Sequence, residues 1–330
     1  MRRNRSSAGT IVLRLAAPAL AAALLTLAPA RAAGAREAAE MFARGFGSKA
    51  AAMGNSFVSV ADDASSVFWN PAGMGWLGRK TISFSLTDTY FADVDYSSVA
   101  YVHPAGRAGA FGLSLTRWNV EGIEKRDENN LLLSDDVSDT QMECIASYSS
   151  PPLGGLTAAL GVKVDSQSMD DERALGTGLD LGLLYRSSPP SAHGVRSFNA
   201  GISVKNLIEP VLRLRSDRTS FPTRAVFSTS YGGGAARYLD DWTVTLDLNA
   251  PSDLLGAANF GFEASVRPVS FRVGSMDGKL TAGLGTAWEG LSFDYAYSDE
   301  DFGRLHTFSL SVSFGEQGWD QARRPEGEGR

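Results

Sequence analysis

The stretch Leu156-Thr157-Ala158-Ala159-Leu160-Gly161-Val162-Lys163-Val164-Asp165 decides the fold. Its larger apolar residues recur at every second position, while the other phase carries Lys163 and Asp165. A period of two is the mark of a strand, whose successive side chains point to opposite faces. Working outward, Phe111, Leu113 and Leu115 alternate with Gly112, Ser114 and Thr116, and Phe198, Ala200, Ile202 and Val204 alternate with Asn199, Gly201, Ser203 and Lys205. Trp242, Val244, Leu246 and Leu248 oppose Asp247, and Leu291, Phe293, Tyr295 and Tyr297 oppose Asp294.

About fourteen such runs occur, at 81–90, 96–104, 109–119, 140–149, 156–166, 178–187, 197–206, 221–231, 241–249, 258–267, 269–275, 280–288, 291–298 and 305–315. One face of nearly every run is apolar or aromatic, and the other is Gly, Ser, Thr and Asn with isolated charges. This combination predicts an all-β, transmembrane, outer-membrane antiparallel barrel, with lipid on the apolar side and a lumen on the polar side. The competing architecture is a secreted soluble β-sandwich or propeller, whose outward faces should carry more charge. The connections support the barrel. Ala105 to Ala108, Pro151 to Gly155, Pro268 and Glu289-Gly290 are brief and turn-forming, whereas Val120 to Asp139, Asp165 to Thr177 and Leu207 to Ser220 are long and charged. Two connections of the first kind, 188–196 and 232–240, are longer than the rule expects. Tyr90, Tyr96, Tyr148, Tyr185, Tyr231, Trp242, Trp288 and Tyr297 stand near run ends, where interfacial girdles are expected.

Composition narrows the function. The 330 residues hold 35 glycines, and the net charge of −6 argues against a basic nucleic-acid-binding surface. One cysteine excludes a disulfide framework and a CxxC zinc site. Mean hydropathy is −0.11, a value that a barrel reaches by alternating its lipid-facing residues with polar ones. Arg2, Arg3 and Arg5, an apolar run from Ile11 to Pro29, and Ala30-Arg31-Ala32 read as a secretory signal peptide over 1–32, the competing reading being an N-terminal membrane anchor. The remaining divisions are a hatch segment over 33–80, the barrel over 81–315 and a polar periplasmic tail over 316–330.

Residues 33–78 do not alternate. They contain the string running from Gly47 through Asn55-Ser56-Phe57-Val58 and Asp62-Asp63-Ala64 to Phe68-Trp69-Asn70-Pro71-Ala72-Gly73-Met74. Asp62 or Asp63 can cap a short helix through Phe68, and Asn70-Pro71 can stop it. The string resembles the N-terminal region of FadL-like outer-membrane proteins, and more closely that of the PorV/PorQ family. Val204-Lys205-Asn206-Leu207 and the ending from Leu305-His306 to Phe314 are further similar pieces. The resemblance implies a short, partly helical hatch inside the periplasmic mouth of a fourteen-stranded barrel, with Asp62, Asp63, Asn70, Pro71, Ala72 and Gly73 as hatch residues. The polar tail after Phe314 departs from the terminal aromatic expected of an outer-membrane assembly signal.

Chemistry is sparse. His103, His193 and His306 are far apart, and no G-x-S-x-G elbow occurs, so neither an enzyme nor a metal or other cofactor is expected. Asp135-Asp136, Asp170-Asp171-Glu172 and Asp299-Glu300-Asp301 read as solvated loop tips, with calcium binding as the alternative. Glu143, Lys163, Asp165, Asp180, Lys205, Asp247, Glu263, Arg272 and Asp294 lie on the inward phase, where mixed signs suggest a lumen charge network. The resemblance implies two functions. The first, favoured by the closer likeness to PorV/PorQ, is a non-enzymatic partner of secretion-system components in type IX secretion. The alternative is FadL-like transport of small hydrophobic molecules, with Phe57, Val67, Phe68 and Trp69 as ligand contacts. Both place the chain in outer-membrane lipid after cleavage of its leader. Leu160→Arg on the lipid face should impair assembly more than Ser203→Arg on the lumen face.

Overall fold

The structure is a computed structural model that describes residues 45–89, 94–187, 196–214, 217–234, 239–250, 258–300 and 303–315. The signal peptide, residues 33–44 of the hatch segment, Tyr90, His193, Asp301, most of the 188–196 connection, part of the 232–240 connection, and the 316–330 tail lie outside the described residues. Among the described residues no helix is long and apolar enough to cross a membrane.

The described residues form sixteen strands, and fourteen of these close into an antiparallel barrel in which each strand pairs with the barrel strands next to it in the chain and the first pairs with the last. They are β1 (Lys80–Thr89), β2 (Val94–Pro104), β3 (Ala110–Arg126), β4 (Leu132–Ser149), β5 (Leu156–Met169), β6 (Glu172–Arg186), β7 (Arg196–Ile208), β10 (Arg224–Gly234), β11 (Asp241–Ala250), β12 (Ala258–Val266), β13 (Val269–Met276), β14 (Lys279–Trp288), β15 (Leu291–Glu300) and β16 (Gly303–Phe314). The extra pair, β8 (Val211–Leu214) and β9 (Asp217–Ser220), is a hairpin between β7 and β10. β1 and β16 close the barrel in register from Lys80–Phe314 to Thr89–Leu305. Their inward hydroxyls form a ladder, Thr81–Ser313 at 3.0 Å, Ser83–Ser311 at 2.7 Å, Ser85–Ser309 at 3.0 Å and Thr87–Thr307 at 3.0 Å. Hydroxyl pairs across a seam satisfy one another without water.

The outward phase is the apolar one. Leu160, Val162 and Val164 on β5, Phe260 on β12, Phe271 on β13 and Phe308 on β16 are exposed. Aromatic pairs gather at the end bearing the short turns, Phe111 against Tyr148 at 5.3 Å and Tyr231 against Trp242 at 5.8 Å. Tyr96 breaks this pattern. Its hydroxyl donates to the Gly45 carbonyl at 2.8 Å, so it points into the lumen instead of joining a girdle.

Three expected loops are ordered differently. Most of 120–139 continues β3 and β4 as a ribbon, closed by a turn in which Asp127 Oδ1 accepts the Asn129 and Leu131 amides. Asp135 and Asp136 therefore lie on a strand rather than a loop tip. The 165–177 stretch is strand up to Met169 and again from Glu172, around a turn that uses Asp170 at φ 54°. The 207–220 stretch contains the β8–β9 hairpin, which packs against the inward face of β6, where Ala174, Leu212 and Phe221 form a small apolar cluster. Gly176 and Gly178 leave the room it needs, since a Cβ on Gly178 would stand 2.7 Å from Pro210.

Candidate functional site

The lumen holds the residues from Gly45 to Trp76, called here the inner segment. It contains α1 (Ser48–Ala52), α2 (Ser66–Trp69) and a 3₁₀ helix (Pro71–Trp76). Short helices leave most of their backbone groups without intrahelical partners, and the wall supplies those partners. Asp247 accepts the amides of Phe57 at 3.2 Å and Val58 at 3.3 Å, together with the hydroxyls of Ser56 and Ser228. Thr245, Thr281 and Thr157 donate to the carbonyls of Ser56, Ala52 and Ala72 at 2.8–3.0 Å. Asn70 caps the 3₁₀ helix by accepting the Ala72 amide, and its own amide donates to the Val58 and Leu183 carbonyls. The wall is glycine where this segment touches it: a Cβ on Gly182 would stand 2.3 Å from Asn70 Oδ1, and one on Gly274 2.3 Å from the Gly54 nitrogen.

The capping expectation is corrected here. α2 starts after Ser65 without a side-chain cap, and Asp63 Oδ1 instead accepts the Ser65 amide at 2.8 Å and its hydroxyl at 2.5 Å, a turn that precedes the helix. Pro71 begins the 3₁₀ helix, so the chain turns at Asn70 and continues helically. Ala72 and Gly73 are buried, and a Cβ on Gly73 would stand 2.2 Å from the Ala61 carbonyl oxygen.

Phe57, Val67, Phe68 and Trp69 lie in one packed cluster with Phe46, Met53, Met74, Val102 and Ile145. Trp69 meets Phe68 edge-on at 5.3 Å and donates its indole N–H to the Phe46 carbonyl at 2.8 Å. These side chains close the middle of the lumen.

The inward charges form two clusters. In the first, between β4 and β10, Lys163 bonds Glu143 at 3.0 Å and Asp180 at 2.9 Å, and Lys205 lies 2.8 Å from the centroid of the Phe68 ring. In the second, Arg272 bonds Glu263 at 2.5 Å and Asp294 at 2.6 Å. Lys49 of α1 adds Asp62 at 2.8 Å and Glu263 at 3.7 Å, tying the inner segment to β12. Two cavities open beside this second cluster. One of about 230 Å³ touches Lys49, Asp62, Asp63, Glu263, Arg272 and Asp294. The other, about 480 Å³, lies at the β12–β13 and β14–β15 turns and shares Ser270, Ala287 and Ser292 with the first. Together they make a vestibule from the turn end of the barrel to the inner segment. Neither cavity is lined by Phe57, Val67, Phe68 or Trp69.

Electrostatics at the vestibule follow from this geometry. Burial pulls the Lys49 ammonium down, but the carboxylates of Asp62 and Glu263 outweigh it and hold it above its ordinary value. Burial pushes Asp62 up, and Lys49 more than reverses that, leaving it below the usual carboxylate range. Asp62 is enclosed by the barrel rather than dry, because 38% of its side chain remains open to the vestibule. Asp63, without a cation in hydrogen-bond contact, is pushed up to about 6 by burial and by the neighbouring Asp62 charge.

Inward parity brings the lumen charges onto one surface but misses Lys49, which lies outside any alternating run. It also bears on Arg224, which shares the inward phase of β10 with Ser228 and Ser230 and was legible by the same count. Arg186, at the end of β6, stacks over Trp76 and donates to the Val60 carbonyl. Among the described residues no group of three or more His, Cys, Asp or Glu side chains is placed to hold a metal ion.

A closed fourteen-stranded antiparallel barrel with a lipid-compatible apolar exterior and a filled lumen is a fold of outer-membrane type. Among solved structures, the chain shares its fold with the toluene transporter TbuX of Ralstonia pickettii (14% identity, 82% of this chain and 99% of that one, TM-score 0.52). It is comparably similar to the TodX monoaromatic hydrocarbon channel in its ΔS2S3 variant (13% identity, 83% and 99%, TM-score 0.52) and to the CymD monoaromatic hydrocarbon channel (10% identity, 83% and 99%, TM-score 0.50). No protein-family model matches the sequence, and no curated protein matches it either.

Proposed function

We propose that this chain is an outer-membrane transporter of small hydrophobic molecules, acting without chemistry of its own, in which the inner segment serves as a movable hatch. The observation that supports this most is a lumen filled by an apolar cluster around Phe57, Phe68 and Trp69, with an open vestibule beside the Arg272 charges. A water-filled pore needs a continuous polar passage. An apolar passenger needs apolar contacts and a plug that yields, and the sealed cluster offers both once it moves. The fold shared with proteins described as a toluene transporter and as monoaromatic hydrocarbon channels agrees with this passenger class.

In this reading the leader directs export and is cleaved, the short turns face the periplasm, and the vestibule is the periplasmic exit. Lys49 and Asp62 hold the hatch shut at that exit. Phe57, Val67, Phe68 and Trp69 would meet the passenger only when the cluster parts. The secretion-partner role implied by the PorV/PorQ resemblance rests on the Gly47–Met74 string and on the shorter pieces at Val204–Leu207 and Leu305–Phe314.

The test is uptake of toluene or a similar small hydrocarbon by cells whose outer membrane carries the protein, beside planar-bilayer conductance of the purified chain. Faster uptake than in cells lacking it, with no steady conductance, is expected. Equal uptake with and without the protein would overturn the transport reading.

A further inference from the structure

Six buried charged side chains meet in the lumen between β4 and β10, and they do not divide into three pairs. Lys163 takes two carboxylates, Glu143 through Oε2 and Asp180 through Oδ2. The other oxygen of Asp180 accepts the Asn206 amide at 2.8 Å. Asp165, Lys205 and Arg224 are left with no ion pair or hydrogen bond among the described residues, although they are only 2%, 7% and 5% exposed. The second oxygen of Glu143 is also unpartnered. Strand register places like beside like: Glu143 stands opposite Asp165 across β4–β5, and Lys205 opposite Arg224 across β7–β10.

A buried ammonium without a counter-charge is costly. Here the face of Phe68 stands in for one, 2.8 Å from Lys205 Nζ to the ring centroid, with Trp69 at 5.9 Å. Both rings belong to α2 of the inner segment, whereas every carboxylate nearby belongs to the wall. Withdrawal of α2 therefore strips Lys205 of both aromatic contacts, while Glu143 and Asp165 of the same cluster each keep one unpartnered oxygen. Lys205 is also placed to move. It precedes Asn206, a bulge residue at φ 55°, where the β6–β7 ladder is interrupted: Leu181 pairs with Val204 but Leu179 pairs with Ile208. A lysine head on a flexible four-carbon stem suits such a change of partner.

We propose that Lys205 is a two-position switch, resting on Phe68 while the hatch is docked and pairing with the free oxygens of Glu143 and Asp165 when α2 withdraws. The like-charge pair Glu143–Asp165 is thus a prepared destination. It offsets the loss of the aromatic contact, so hatch movement does not leave a bare charge in the lumen. The switch rests on the transport reading only in requiring that the hatch move.

The experiment uses the full-length purified protein with Cys144→Ser and Val67→Cys, Val67 being buried in the docked cluster. The rate of maleimide labelling without any substrate reports hatch opening, and a heat-shifted gel band certifies the barrel of each variant. Phe68→Leu should speed labelling by about thirtyfold, the scale of one desolvated cation–π contact. Glu143→Gln with Asp165→Asn should slow it by a similar factor, with Asp165→Asn alone as the milder variant if the pair fails to fold. In a Lys205→Met background the carboxylate effect should vanish and the Phe68→Leu effect should shrink to what lost packing alone gives, which a merely structural cluster would not produce. Labelling unchanged by the carboxylate changes, or a Phe68→Leu effect as large without Lys205 as with it, overturns the switch. Uptake separates the two ideas: failed uptake with intact labelling responses counts against transport alone.

Discussion

The two sides of the lumen solve one electrostatic problem in opposite ways. Around Lys163 the charges are sealed, with side chains 2–6% exposed between the β8–β9 hairpin and α2. Around Arg272 they are 6–16% exposed and face a vestibule of several hundred cubic ångströms. Sealed charges must be balanced by protein groups alone, so each is structurally expensive to change. Charges beside water can exchange a protein partner for a solvent one. The sealed side is thus suited to holding, and the wet side to letting go.

The largest expected effect comes from breaking the sealed side. Lys163→Met leaves Glu143 and Asp180 buried without their shared cation, a loss of about 3–5 kcal/mol. It should appear as a large drop in the temperature at which the heat-shifted band is lost. If Lys163→Met behaves like a wild-type barrel, the sealed description is wrong.

Next in size is a test of whether both clusters face a lumen at all. Leu160→Arg places a charge on the outward face, where it costs about 2–4 kcal/mol near the middle of a bilayer, and should reduce folding into lipid vesicles. Ser203→Arg, the natural lumen control from strand parity, is a poor one, because Ser203 is only 2% exposed and has no room for an arginine. Ser292 lines both vestibule cavities and is the better site. Ser292→Arg should fold nearly as well as the parent, and equal damage from Leu160→Arg and Ser292→Arg would remove the distinction between faces.

Smaller again is Arg272→Met on the wet side. Glu263 and Asp294 keep 16% and 13% of their side chains open, so water replaces part of what they lose, and the cost should be smaller than that of Lys163→Met and should shrink in salt. A loss equal to that of Lys163→Met would erase the contrast between the two sides.

Much of this was legible in residue parity. Leu160 and Val162 outward with Lys163 and Asp165 inward follows from period two, and so do the hydroxyl seam of β1 and β16 and the inward place of Arg224. Parity is silent where the chain does not alternate. Lys49 reaches Asp62 and Glu263 only because α1 packs on β13–β16, which no local pattern encodes. The ribbon at 120–139 was hidden because its water-facing strands carry charges on both phases and so read as loop. The β8–β9 hairpin was hidden because its inward course depends on the absent side chains of Gly176 and Gly178. Tyr96 looked interfacial by position, but its hydroxyl satisfies the Gly45 carbonyl instead.

The smallest effect expected is a pH dependence at the wet side. Asp63 is pushed up to about 6 in the folded protein, from an ordinary 3.8. Between those values the folded form holds the proton more firmly than the unfolded form, so the contribution of Asp63 to stability falls as pH rises from about 4 to about 6 and is flat above. Ionised at neutral pH, Asp63 repels Asp62 and weakens the edge of the inner segment nearest the exit. Protonated, it should tighten that edge. Because maleimide attacks the thiolate, labelling of a buried cysteine at position 67 is divided by the rate for a fully exposed cysteine at the same pH; that ratio should be lower at pH 5 than at pH 7.5, and Asp63→Asn should make it nearly independent of pH over that range by holding the site neutral throughout. A pH effect that survives Asp63→Asn would place the responsive group elsewhere in the lumen and count against Asp63 as the group that loosens this edge of the inner segment.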